Sequence, residues 1–108
     1  MQGGEEYVWC VSVACDPQRG WVTVMGQRSA QLEYPVIELT LFSLDGQKLA
    51  STLIVDAPEE FRMTLHPRGA SPGMSLVLRL EMFRGDASFV VREYNFQFVA
   101  DEATEGTF

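Results

Sequence analysis

The chain has 108 residues, of which 46% are hydrophobic and 21% are charged, with a formal net charge of −7. This length and composition indicate one globular domain with a single core and exclude a globally disordered protein. The eight basic residues, against fifteen acidic ones, are scattered singly, which argues against nucleic acid as a partner because phosphate binding needs a clustered positive surface.

The sequence also indicates a compartment. It contains no run of about 18 apolar residues that would cross a membrane. Residues 1–6 lack the basic-then-apolar pattern of a secretion leader. Cys10 and Cys15 would lie on opposite faces of one strand, about 16 Å apart if extended, which is too far for a disulfide. We therefore expect two reduced thiols and a soluble cytoplasmic protein.

The first hairpin is predicted from alternating side chains. Between Tyr7 and Cys15, every second residue from Tyr7 to Val13 is large and apolar, and the residues between them are mostly small, as in a half-buried strand. A turn at Asp16–Gly20 leads into a short second strand, Trp21–Met25. Gly26–Pro35 shows little periodicity and is predicted to be a surface connection between sheets.

The second hairpin leaves two registers open. Its first strand, Val36–Ser43, alternates apolar and polar residues. A loop of three residues sets Leu41 opposite Leu49, whereas a loop of two sets Leu41 opposite Ala50. The hydrophobic match favours the longer loop, which turns Leu53 toward the core.

The third hairpin consists of two long alternating runs between Ser75 and Val99, joined by a loop at Arg84–Ala87. In the second run the apolar residues occupy odd positions before Arg92-Glu93 and even positions after it. Val91, which precedes the change, is therefore predicted to face the core. A β-bulge at Arg92-Glu93 would keep both halves of the run in register with the first strand. The resulting register pairs Leu78 with Tyr94 and Leu76 with Phe96.

These elements predict the fold class. With a fifth short strand at Phe61–Leu65, the chain has about seven strands separated by turn signals, which is typical of an all-β antiparallel sandwich. We assign strands one, two and five to one sheet and the two longer hairpins to the other. The domain is expected to span residues 7–99, between a flexible N-terminus at 1–6 and a flexible acidic tail at 100–108.

In strand order and loop character the chain resembles a fibronectin type III or immunoglobulin-like module. The resemblance includes Trp21 in the second strand and Pro72-Gly73 before the sixth. The tyrosine that those modules place early in the sixth strand would fall near Leu76 here, and an inter-sheet cysteine pair is lacking. The resemblance therefore implies an architecture and carries over no functional residue.

No constellation in the sequence indicates catalysis or a cofactor. The only histidine, His66, stands beside a proline at a strand end, with no nucleophile pattern near it. The carboxylate pair Glu59-Glu60 is expected to be solvated, and the two cysteines with one histidine do not complete a metal site. Arg84-Gly85-Asp86 spells an integrin-recognition tripeptide, but it also suits a tight turn. We expect a protein that is not an enzyme and holds no cofactor.

Apolar side chains on outward faces give the strongest functional indication. Val77 and Phe83 lie on the outward face of the sixth strand, and Val8 and Cys10 lie on the small face of the first. Such residues are those that a partner chain would cover. The sequence therefore predicts a protein-interaction or assembly module that uses a sheet face or edge, with homodimerisation through the sheet of the two longer hairpins.

An alternative uses exposed aromatic rings. Trp9, Trp21 and Tyr34 would form a platform for sugar rings if two or three of them shared an exposed face. This hypothesis predicts a carbohydrate-binding module.

Overall fold

A computed structural model describes residues 9–28, 36–55, 57–84, 87–100 and 103–107, and the regular structure in these ranges is all β. Eight strands lie within them. They are β1 (Trp9–Asp16), β2 (Trp21–Arg28), β3 (Val36–Ser43), β4 (Lys48–Ile54), β5 (Glu60–Leu65), β6 (Ser75–Arg84), β7 (Ala87–Gln97) and β8 (Ala103–Thr107).

The strands form two four-stranded antiparallel sheets. Sheet one has the order β5-β2-β1-β8 and sheet two has the order β4-β3-β6-β7. The predicted antiparallel β-sandwich is confirmed, and so is the assignment of strands one, two and five to one sheet and the longer hairpins to the other. The resemblance to fibronectin or immunoglobulin modules stays a prediction.

The core lies between the two sheets and follows from the period-two alternation of the strands. At its centre, Leu39 on β3 is paired with Leu80 on β6, and both side chains are fully buried. Their neighbours along the same ladder, Ile37 with Met82 and Leu41 with Leu78, are buried to the same extent. Sheet one contributes Val11, Val13, Val22, Val24, Phe61 and Leu65 to this core.

The second strand is longer than its sequence predicts. Gly26, which was expected to begin a surface connection, is buried inside β2 and is paired with Phe61 on β5. The strand continues to Arg28, and residues 29–35 of the predicted connection lie outside the described ranges. The sequence does not show this extension because Gly26 has no side chain and polar residues follow it. The apolar group that fills the core at this point is Phe61, on the neighbouring strand.

The second hairpin combines the two registers that the sequence left open. Ser43 N–H donates to the Gln47 carbonyl over 2.9 Å and Gly46 has a φ of 91°, so the loop is the predicted longer one. However, the register shifts after Leu41, and Leu41 is paired with Ala50. Leu49 is the extra residue of a β-bulge, so the predicted pairing of Leu41 with Leu49 is wrong.

The third hairpin is confirmed in one half and corrected in the other. Leu78 pairs with Tyr94 and Leu76 with Phe96, as predicted. The bulge lies near the loop, where Met82 pairs with Val90 and Phe83 pairs with Ser88, and not at Arg92-Glu93. Arg84 pairs with Ala87, so pairing extends further into the predicted four-residue loop than expected. Because the bulge comes earlier, Val91 is on the outward side, opposite Glu81.

The segment predicted as a flexible tail contains an additional strand. Phe98, which is 1% exposed, closes the end of the core, and the chain then crosses from sheet two to sheet one. Beyond it, β8 pairs with β1 from Cys10 to Ala14. The sequence gives little sign of this strand because its residues are mostly small or polar. The predicted N-terminus at 1–6 lies outside the described ranges.

Candidate interaction face

The outward surface of sheet two, which we call the outer face, has a regular pattern along its two central strands. Alternate residues of β3 and β6 point away from the core, and neighbouring strands pair them directly. The four outward pairs, in order along the strands, are Val36 with Phe83, Glu38 with Glu81, Thr40 with Arg79, and Phe42 with Val77. The central part of the outer face is therefore apolar at both ends and charged in the middle.

The two flanking strands add exposed apolar residues to this face. Leu53 on β4, opposite Glu38, is 55% exposed, and Val91 on β7, opposite Glu81, is 41% exposed. Both were predicted on the core side. The bulge at Leu49 on β4 and the bulge between Ser88 and Val90 on β7 each reverse the parity of the rest of their strand, which moves one large apolar residue from the core side to the outer face.

The structure brings together two of the four residues predicted to form an interaction surface. Val77 and Phe83 are both on the outer face, half-buried, at its opposite ends. Cys10 is exposed on the outward side of sheet one, paired with Gln27, so it lies on the other side of the sandwich. Val8 lies outside the described residues.

The middle of the outer face carries an arginine among carboxylates. Arg79 Nε lies 3.8 Å from Glu81 Oε1, and the two side chains are 39% and 21% exposed. Glu93 is paired with Arg79 on β7, and Glu38 is directly opposite Glu81 on β3. Arg79 Nε is buried and has no hydrogen-bond acceptor among the described residues. The arginine is therefore held in an acidic setting with hydrogen-bonding capacity left over.

The outward surface of sheet one has a different character. Thr23 and Thr64 are cross-strand partners whose hydroxyl oxygens are 3.3 Å apart. Gln27 Nε2 donates to Glu60 Oε2 over 3.2 Å. The polar groups of these pairs form hydrogen bonds with each other within sheet one. The apolar surface that a partner would cover is concentrated on sheet two.

Two residues of the alternative aromatic platform, Trp9 and Trp21, are not brought together. Trp9 is paired with Arg28 at one end of the β1–β2 ladder and Trp21 with Asp16 at the other, a separation of about 23 Å along the strands. Tyr34 lies outside the described residues. Trp21 is 36% exposed.

Trp21 has two close neighbours at the end of sheet one. The Arg19 guanidinium carbon lies 5.0 Å from the centre of the Trp21 ring, in the range of a cation–π contact. The exposed His66 ring stands edge-on to Trp21, with centroids 6.0 Å apart. His66, the only histidine of the sequence, thus lies in an aromatic contact with Trp21.

A shallow groove of about 620 Å³ lies at the same end of the sandwich, between the β1–β2 turn, Pro72-Gly73 and residues 98–100. Cys15 lines it, and its Sγ lies 3.8 Å from the Gln97 carbonyl oxygen. Burial raises the pKa of the Cys15 thiol, and a backbone hydrogen bond with Val99 partly offsets this effect. The thiol therefore stays protonated at neutral pH and is a weak nucleophile.

No protein-family model matches this chain, and no curated protein matches its sequence. Within the described ranges, no helix has the length and apolarity needed to cross a membrane. In the same part of the chain, no group of three histidine, cysteine or carboxylate residues is arranged to hold a metal ion.

Proposed function

We propose that the protein is a non-catalytic interaction or assembly module that binds protein through the outer face of sheet two. The observation that carries the proposal is the set of apolar side chains on the solvent side of all four strands of that sheet. They are Val36, Phe42, Leu53, Val77, Phe83 and Val91.

The dimensions of the outer face suit a protein partner. Four strands spaced about 4.8 Å apart and eight residues rising about 3.3 Å each give a patch of roughly 19 Å by 26 Å. Specific protein interfaces bury about 800 Å² of accessible surface on each partner, so this patch, about 500 Å² in projection, supplies more than half of such an interface. Half-buried Phe42 and Phe83 near its two ends are aromatic residues, a type that is enriched in the buried core of protein interfaces.

The proposal also includes the cellular compartment in which the protein works. Cys10 and Cys15 both lie in β1, five residues apart, so about 16 Å separates them along the strand and they do not form a disulfide with each other. A chain whose two cysteines do not pair suits a reducing environment. We propose a cytoplasmic protein on this ground.

Glutamate substitutions at the two ends of the outer face test the proposal. Val77→Glu and Phe83→Glu each place a charge where a partner's apolar surface would dock, so we expect each to abolish association measured by light scattering after gel filtration. Leu44→Glu is the matched control, because Leu44 is 69% exposed in the β3–β4 loop, off this face. If Val77→Glu and Phe83→Glu stay folded by circular dichroism and associate as the wild type does, the proposal is wrong.

The carbohydrate alternative is supported by one observation, the exposed Trp21 beside His66. It predicts that soluble polysaccharides change tryptophan fluorescence and that Trp21→Phe removes the change. The interaction module predicts no such change.

A further inference from the structure

We infer that the partner on the outer face is a second copy of the chain, packed face to face about a two-fold axis. This inference rests on the proposed function and names the occupant of the same face. It follows from the order of residues along the β3–β6 ladder, which matches itself when the strand direction is reversed.

The four outward rows of that ladder read apolar, acidic, Thr40 with Arg79, and apolar. Consider a two-fold axis that lies in the plane of the interface, perpendicular to the strands, between the second and third rows. It places the first row of one copy over the fourth row of the other and the second row over the third. Apolar residues then meet apolar residues, and the acidic row meets the row that carries Arg79.

The axis brings specific side chains together. Phe83 of one copy lies over Val77 of the second copy, and Arg79 lies over Glu81 of the second copy. Because the axis is two-fold, each contact occurs twice, as an isologous interface requires. The arrangement keeps β3 over β3 and β6 over β6, which is compatible with the roughly 30° crossing and 10 Å spacing of packed sheets.

The local electrostatics of Arg79 favour such a partner. Within one copy, Arg79 has a carboxylate contact at 3.8 Å and its side chain is still 39% exposed, so part of the guanidinium is open to a partner. A carboxylate arriving from above would complete charge-assisted hydrogen bonds to the guanidinium. A pair enclosed by two apolar rows is also less screened by salt than a pair at a protein surface.

Charge exchange in trans tests the inference directly. Arg79→Glu makes two carboxylates face each other across the interface, and Glu81→Arg makes two guanidinium groups face each other. We therefore expect each variant alone to dissociate at least tenfold more readily than the wild type. An equimolar mixture of the two variants pairs opposite charges across the interface again. We expect a heterodimer in the mixture, detected by native mass spectrometry, because the two chains differ in mass.

A control separates the interface from general charge effects. Arg62→Glu makes the same change on the exposed side of β5 in sheet one, and we expect it to leave association unchanged. The mixture also excludes repair within one chain, since neither variant contains both substitutions. Circular dichroism of each variant confirms that the fold is retained.

The outcomes distinguish this inference from the proposed function. A wild-type chain that stays monomeric at millimolar concentration overturns the inference, as does a mixture that forms no heterodimer. Neither result removes the proposed function, which a different protein partner on the outer face would satisfy. The proposed function fails separately, when the substitutions Val77→Glu and Phe83→Glu leave association with every partner intact.

Discussion

The Phe61 ring lies against the backbone of Gly26, its cross-strand partner in sheet one. A Cβ atom added to Gly26 would clash with Cζ of this ring and would lie 2.5 Å from Cε2 and 3.0 Å from Cε1. Phe61 is 8% exposed, so its ring occupies the part of the core that a side chain at position 26 would otherwise fill. A glycine in mid-strand normally weakens a sheet, and here the aromatic partner compensates for it.

Gly26→Ala should therefore destabilise the protein by about 1 to 3 kcal/mol, because the Phe61 ring has to move from a packed position. Removing the ring should remove the effect. In a Phe61→Ala background, Gly26→Ala should be neutral or slightly stabilising, since alanine is preferred over glycine inside a strand by roughly 0.5–1 kcal/mol. Urea unfolding of the four proteins in this double-mutant cycle gives the coupling energy, and additive effects would contradict the packing described here.

Leucines on the two sides of sheet two should respond differently to the same substitution. Leu39 is fully buried and Leu53 is 55% exposed. Leu39→Ala should cost about 2 to 5 kcal/mol because it leaves a cavity in the core, whereas Leu53→Ala should change the free energy of unfolding by less than about 1 kcal/mol. The measurement should use dilute protein, so that association does not contribute. Equal losses would mean that Leu53 is on the core side, as its sequence pattern suggests.

The sequence predicts the sandwich and most of its pairing because alternation determines which side of each strand is buried. It places Leu78 opposite Tyr94 correctly for this reason. It does not locate the bulges. A bulge reverses which side of the strand the following residues face. Two adjacent polar residues such as Arg92-Glu93 suggest such a reversal, but they also occur without a bulge on an edge strand such as β7.

The same limitation explains what was missed in the candidate site. Val77 and Phe83 are outward on a strand without interruption, so their side is read correctly from the pattern. Leu53 and Val91 follow bulges, so their side cannot be read from alternation alone. Sequence patterning assigns a large apolar residue to the core by default, and at these two positions that default is wrong.

Alkaline pH should destabilise the fold through Tyr94. Burial raises the pKa of Tyr94 to about 12, with Arg92 acting in the opposite direction. The unfolded chain ionises near pH 10, so between about pH 10 and pH 12 the unfolded state loses a proton that the folded state keeps. The free energy of unfolding should fall through this window, by roughly 1 to 3 kcal/mol.

Tyr94→Phe is the control for this effect, since phenylalanine keeps the ring and lacks the ionisable hydroxyl. The difference in stability between wild type and variant should be constant below about pH 10 and should shift in favour of the variant above it. A difference that does not change between about pH 9 and pH 12 would show that Tyr94 ionises as it does in the unfolded chain.

The two thiols should react at different rates. Cys10 is exposed, whereas Cys15 is half-buried and its pKa is raised by burial. Because the thiolate is the reactive form, iodoacetamide should alkylate Cys10 well before Cys15 at about pH 8. Peptide mass spectrometry over time gives both rates in one sample, and denaturant should make them equal. Faster alkylation of Cys15 in the folded protein would contradict its placement.

If two copies of this protein pack together through the outer face of sheet two, the backbone amides of that face should respond to protein concentration. The most direct measurement is a series of amide ¹⁵N–¹H spectra of the wild-type chain from about 20 µM to 1 mM. Our account predicts concentration-dependent shifts at Val77, Arg79, Glu81 and Phe83 and none at Ser12 or Thr23 on the other sheet. Spectra that do not change over this range, or shifts confined to sheet one, would contradict it.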